Sequence, residues 1–292
     1  MKDSLEHLRQ WVGRKETHQD LATAWPLAAL TATLDRDDPP LREGDAIPEG
    51  WHWSYFLETA LARELAHDGH PKRGGFLPPV SLPRRMWAGG RLDFRRPIKV
   101  GERLARESEI LSVESKSGNS GNLVFVTVRH TVSASNEIAV VEEHDIVYRD
   151  AAVPGAQNTP GAQNRAPAAA GKPAPANAVW RHEVMPDEAM LFRYSALIFN
   201  AHRIHYDIDY CRKVEGYPGL IVHGPLQTTL LLDLSRRFAG KPVRKLDYRA
   251  VSPLFHNEKL TVSGIPSADG ATAQLWTAGP SGHIAMTGTA SY

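Results

Sequence analysis

The chain has 292 residues, 42% hydrophobic and 23% charged, which is enough for a buried core and too long for one small domain. Lys and Arg total 34 against 33 Asp and Glu, a formal net charge of +1 that argues against a dedicated nucleic-acid binder but permits a local cation cluster. One cysteine, Cys211, excludes an intrachain disulfide and CxxC motifs. No stretch reaches the roughly 20 apolar residues of a membrane span, and the polar N-terminus lacks a signal-peptide core, so a cytoplasmic protein is expected.

Leu57, Leu61 and Leu65 recur at helical spacing and predict an amphipathic helix over Tyr55–Ala66, stopped by Gly69 and Pro71. Next come five arginines: Arg84, Arg85, Arg91, Arg95 and Arg96. They read either as a solvated strand face or as a grip on phosphate or carboxylate groups. Dense β-branched residues then predict strands over Glu102–Val113, Leu123–Val132 and Glu137–Tyr148. From Ala151 to Val179, 19 of 29 residues are Ala, Pro or Gly and none is aromatic, Leu or Ile. Such a segment cannot bury enough apolar surface to offset its ordering entropy and reads as a linker between residues 1–150 and 180–292.

Beyond the linker, Pro225 opens a helix that carries Leu226, Leu230, Leu231, Leu234 and Phe238 and stops at Gly240; its apolar breadth predicts burial. Strands are predicted over Lys245–Val251, Lys259–Ile265, Thr272–Ala278 and His283–Ser291. The two halves repeat one another. Leu92-Asp93-Phe94-Arg95, followed by Arg96-Pro97-Ile98 and Gly101-Glu102-Arg103-Leu104, matches Leu246-Asp247-Tyr248-Arg249, Ser252-Pro253-Leu254 and Asn257-Glu258-Lys259-Leu260. One long helix followed by antiparallel strands, twice, is an α+β plan in which a sheet wraps a central helix.

The densest chemistry lies between Phe192 and Leu226. Asn200, His202, His205 and Asp207 fall within eight residues, and His223-Gly224-Pro225 follows at a helix start. A metal site built from His202, His205 and His223 lacks HExxH and a cysteine partner. Nucleophilic catalysis by Ser195 or Cys211 lacks a GxSxG context or an adjacent base. A hydrogen-bonded polar loop is the bland alternative. General acid–base chemistry uses more of the pattern: His205 titrates near neutrality, Asn200 orients a water or an oxygen, and free amides at the Gly224 helix start polarise a carbonyl.

The string Asn200-Ala201-His202-Arg203-Ile204-His205 resembles the signature of the MaoC-like (R-specific, type 2) enoyl-CoA hydratases and dehydratases: Asp, any residue, Asn, Pro, an aliphatic residue, His. RYSAL and EGYPGLIVHGPL around it, with HPKRGGFLPPV and RRMWAGGRLDF in the first half, are closer to the hydroxyacyl-thioester dehydratase type 2 and mesaconyl-CoA hydratase branch. The resemblance implies a double hotdog, a sheet wrapped round one long helix and present twice. It implies a hydro-lyase that adds water to an enoyl-CoA, mesaconyl-C4-CoA giving citramalyl-CoA, with longer (3R)-hydroxyacyl thioesters as the competing class.

The catalytic positions it implies are His205 and Asn200, with the Gly224 amide as oxyanion donor. Asn200 stands where the family has Asp, and an amide is no base. His205 is therefore expected to activate the water and Asn200 to position it, with Asp207 or His202 as other candidates for the missing acid–base group. Substrate contacts are expected from His202, Arg203, Arg193, His223, Tyr217 and Gly219, Arg193 and Arg203 being the carboxylate grips. No metal or other cofactor is implied, CoA being part of the substrate. The first half lacks the motif and is expected to hold a degenerate site; monomer and homodimer are both open. An acyl-CoA thioesterase and a non-catalytic acyl-CoA-binding module are the rival readings.

Overall fold

The computed structural model describes residues 4–118, 121–150 and 172–292. The first half opens with helix α1 (Leu5–Arg9), strand β1 (Lys15–Leu21) and helix α2 (Ala24–Thr33), followed by β2 (Arg84–Phe94), β3 (Arg103–Gly118), β4 (Gly121–Ala134) and β5 (Glu137–Arg149). The second half holds β6 (Trp180–Val184), α3 (Glu188–Leu197), the single turn α4 (Ile208–Tyr210) and the long helix α5 (Gly224–Ala239). It ends with β7 (Lys245–Ala250), β8 (Leu260–Pro266), β9 (Thr272–Ala278) and β10 (Ile284–Ser291).

The strands join in one antiparallel sheet, ordered β1-β3-β4-β5-β2-β7-β10-β9-β8-β6. Replacing β1 to β5 by β6 to β10 reproduces the same order, so the halves are copies that meet at the β2·β7 seam. The duplicated blocks take equivalent places. Leu92 pairs with Leu246 across the seam. Ile98 and Leu254 are both buried, as are Leu104 and Leu260. Gly101 and Asn257 both turn with positive φ, 94° and 58°. Alternation drives the central strands: Val124, Val126, Val128 and Val132 of β4 all face inward.

Helix α5 lies in the core as predicted. Pro225 occupies its first turn, and Gly240, at φ 64°, ends it in the left-handed region. Its buried polar residues are bonded: Thr228 and Thr229 hydroxyls donate back to Gly224 and Pro225 carbonyls, and Gln227 Oε1 accepts from Thr277. Each buried leucine along it contributes about 1.5–3 kcal/mol of apolar burial.

The first half departs from the expectation of a second central helix. Over Tyr55–Ala66 no α-helix forms; a 3-10 turn at Ala62–Glu64 is the regular structure there, preceded by another at Trp51–Ser54. Leu57 and Leu61 are 36% and 50% exposed. Tertiary contacts override the periodicity. Tyr55 Oη donates to Thr23 O (2.6 Å), and Phe56, held at φ 58°, donates its N–H to Asp20 Oδ2 (2.7 Å). A left-handed Phe56 interrupts any helix through it, and a leucine stripe without a facing core gains little from being helical. In the second half α5 packs on β8, β9 and β10; the equivalent first-half strands instead present Val128, Val132, His144 and Ile146 to a large cavity.

The expected linker lies, over residues 151–171, outside the described residues. From Lys172 onward the chain is already bonded to the second half, with Ile284 N–H donating to Lys172 O (2.9 Å) and Ala174 N–H to Gly282 O (2.8 Å). Among the described residues no helix is long and apolar enough to cross a membrane.

Candidate active site

Between α3 and α5 the chain is folded by its own polar side chains. Phe199 turns at φ 49°, and Asn200 Oδ1 accepts from His202 N–H (2.9 Å), closing a tight turn. Arg203–His205 then make one 3-10 turn, and Asp207 caps α4 by accepting from Tyr210 N–H (2.9 Å). These turns bring the His205 ring face to face with His223, the residue before α5, at 3.6 Å between centroids.

His205 Nδ1 lies 2.8 Å from Ile221 O. A carbonyl only accepts, so the proton is on Nδ1 and Nε2 carries a lone pair. Burial pushes His205 down to about 4, against the pull of the Ile221 carbonyl, so the ring is neutral near pH 7. His223 is fully buried beneath it, bonded through Nε2 to Ser195 Oγ (2.8 Å). The Gly224 N–H is bonded to no described residue, as expected of an amide in the first turn of a helix. A Cβ on Gly224 would sit 3.2 Å from Trp87 Cβ and Cγ, so the absence of a side chain lets β2 pass close to this helix start.

A cavity of about 1760 Å³ opens onto this arrangement. Asn200, His202, His205, Tyr217 and Gly224 line it. The other predicted residues do not. His223 stands behind His205. Arg193 points to solvent, and Arg203 is spent on Asp207 (2.7 Å) and on His67 O (3.0 Å). Gly219 is buried, where a Cβ would meet His256 at 3.0 Å.

The first half completes the wall. Of the five arginines between residues 84 and 96, Arg84 pairs with buried Glu215 (2.6 Å), Arg91 with Glu143 and Asp145, Arg95 with Asp93, and Arg96 with Glu102 and Glu137. Arg85 is different: it lines the cavity, and among the described residues its side chain has no ion pair or hydrogen bond. Its charge is felt by Asp68, His70, His202 and His144. Further along, Glu142 Oε2 accepts from Trp53 Nε1 (2.9 Å) and lies 3.3 Å from His52 Nε2. Burial alone would raise Glu142, but His52 and the neighbouring histidines hold it at about 2.

Asp68 and His70, which sequence reasoning missed, sit against His202. The donor atoms of Asp68, His70 and His202 lie within 4.8 Å of one another. The signal was present in His67-Asp68-Gly69-His70-Pro71, two histidines and a carboxylate around a glycine, but its partner loop is more than 130 residues away.

Comparison with solved structures places the fold first. A MaoC-like dehydratase superposes with a TM-score of 0.68 at 16% identity over 99% of each chain. HtdX of Mycobacterium tuberculosis gives 0.66 at 18% identity, covering 95% of this chain and 99% of its own. A second M. tuberculosis protein, described as a double hotdog fold, gives 0.53 at 14% identity, covering 99% and 98%. The fold is a double hotdog, here with a long central helix, among the described residues, in its second half alone.

The sequence relatives are narrower. Mesaconyl-C4-CoA hydratase of Chloroflexus aurantiacus is 41% identical over 279 residues, 96% of this chain and 95% of that protein. The mitochondrial hydroxyacyl-thioester dehydratase type 2 of Schizosaccharomyces pombe is 27% identical, covering 84% of this chain and 88% of its own. Residues 50–256 match the model of the hydroxyacyl-thioester dehydratase type 2 family. The chain belongs to that family.

Proposed function

We propose that this chain hydrates the double bond of an enoyl-CoA thioester, that its substrate is mesaconyl-C4-CoA, and that the product is citramalyl-CoA. The observation that carries this is His205, whose Nε2 lone pair faces the cavity beside the open Gly224 amide. The 41% identity to a mesaconyl-C4-CoA hydratase supports the choice of acyl group.

Hydration needs a base for water, a donor for the charge that develops on the thioester oxygen, and a proton for Cα. His205 Nε2 takes a proton from water as the oxygen bonds to Cβ. The electron pair of the double bond moves to the thioester oxygen, held by Gly224 N–H at the positive end of α5. The proton then passes from Nε2 to Cα as the carbonyl re-forms, so both parts of water end on the product. Asn200 orients an oxygen through its NH2 group and transfers no proton. The step calls on no metal or other cofactor.

Mesaconyl-C4-CoA carries a free carboxylate on the carbon that water attacks. Arg85 is an unspent cation beside the histidines and suits that group, whereas an unbranched fatty enoyl chain offers it no partner. Residues 1–150 then act as a degenerate hotdog that completes the pocket, residues 151–179 as linker and 180–292 as the catalytic hotdog. Incubation with mesaconyl-C4-CoA, crotonyl-CoA and a long-chain enoyl-CoA, followed by mass spectrometry, tests this. The expected result is a product heavier by one water, formed fastest from mesaconyl-C4-CoA and unaffected by a chelator. Release of free CoA with no hydrated product overturns it in favour of a thioesterase.

A further inference from the structure

Asn200 leaves the attacking water held on one side. Its Oδ1 is taken by His202 N–H (2.9 Å), and its NH2 group only donates. The first half brings an acceptor to the same cavity, on the far side of His202 from His205. Asp68 Oδ1 accepts from His70 N–H (3.0 Å), and Oδ2 lies 3.3 Å from His70 Nδ1. The carboxylate keeps the ring proton on Nδ1, so Nε2 is a lone pair without a partner among the described residues. His70 lines the cavity while Asp68 stands behind it. The His70 ring is 4.1 Å from His202, which is 5.5 Å from His205.

This segment is seated on the catalytic loop by its backbone. Arg203 N–H donates to Asp68 O (2.9 Å). Gly69, at φ +90°, lies so close that a Cβ would fall 1.8 Å from Ala201 O. Two loops from opposite halves meet here with no side chain between them, at the point where the motif lacks its carboxylate.

We propose that His70, oriented by Asp68, is a catalytic residue supplied by the first half: its Nε2 accepts one hydrogen of the attacking water while His205 Nε2 takes the other. The proposal rests on the hydratase reading above and leaves its proton count unchanged. Asp68, Arg73, Arg85, His202 and His205 are the charged and titratable groups facing His70. Burial, then Arg85, push His70 down to about 4. Burial raises Asp68, but its bond to His70 brings it to about 2. The working pair at neutral pH is therefore a neutral imidazole on an ionised carboxylate.

The test is kcat for mesaconyl-C4-CoA as a function of pH in wild type, His70→Ala, His70→Gln and Asp68→Asn. Both acceptors must be neutral, so activity is lost as pH falls toward 4, with a steepness set by both rings. The limb becomes shallower by one proton in the two His70 variants, a change a structural role would not produce, and any ionisation of the substrate is common to all. At neutral pH kcat drops about 10²-fold with KM little changed. Asp68→Asn drops as well, because its amide donates to Nδ1 and leaves Nε2 as the N–H end. If His70→Ala does not fold, His70→Gln and Asp68→Asn decide in the same way. Folded variants that keep both the wild-type kcat and the wild-type acid limb overturn the proposal. A wild type that hydrates no enoyl-CoA overturns the hydratase reading itself, and this proposal with it.

Discussion

At the scale of single residues, the site depends on which groups are spent and which are left open. Arg203 and four of the five arginines between residues 84 and 96 are tied to carboxylates, whereas the fifth, Arg85, lines the cavity with no ion pair or hydrogen bond among the described residues. Arg85→Met keeps much of the volume and removes the charge. It should lower kcat/KM for mesaconyl-C4-CoA by at least about 30-fold, equivalent to about 2 kcal/mol, the lower end for a desolvated charge pair. Crotonyl-CoA, which has no carboxylate, should be turned over as before. An equal loss on both substrates would instead assign Arg85 to CoA or to the shape of the pocket. The candidate base was readable in the sequence because His205 sits in a local string with Asn200 and His202. Arg85 was not separable from its neighbours, since only the folded chain shows that Arg84 reaches Glu215 and Arg91 reaches Asp145.

At the scale of elements, the contact between the His67–Pro71 segment and the Asn200–His205 loop is the joint that makes one site from two halves. Gly69→Ala tests it. The left-handed φ disfavours alanine, and the added Cβ has no room against Ala201 O. The variant should be less stable by about 1–3 kcal/mol, seen as a melting temperature lower by several degrees, and should lose most of its activity. A Gly69→Ala enzyme with wild-type melting and rate would show that the loops are not seated this way. Strands with inward valines at alternate positions, and α5 with its leucines, were legible because local pattern and core agree. The Tyr55–Ala66 helix was misread because its leucine stripe has no core to face, and Asp20 and Thr23 claim Phe56 and Tyr55 instead. Strand β1 escaped notice because almost all of it is exposed and no apolar alternation marks it.

At the scale of the whole molecule, the duplication is visible both in the repeated blocks and in the seam where Leu92 meets Leu246. The halves differ in what they hold. The second has the long helix and the histidine loop; the first has no long central helix among its described residues, and the cavity of about 1760 Å³ extends over its strands, with Arg85 and His70 on its wall. Division of labour between copies cannot be read from either half alone, because the residues that meet are far apart in the chain. The most direct measurement follows mesaconyl-C4-CoA with wild type and His205→Ala, recording enoyl-thioester absorbance and free thiol in the same cuvette. For wild type the absorbance should fall with no thiol released, and His205→Ala should be slower by about 10²- to 10⁴-fold. Thiol release by wild type, or hydration by His205→Ala at the wild-type rate, would contradict a hydratase centred on His205.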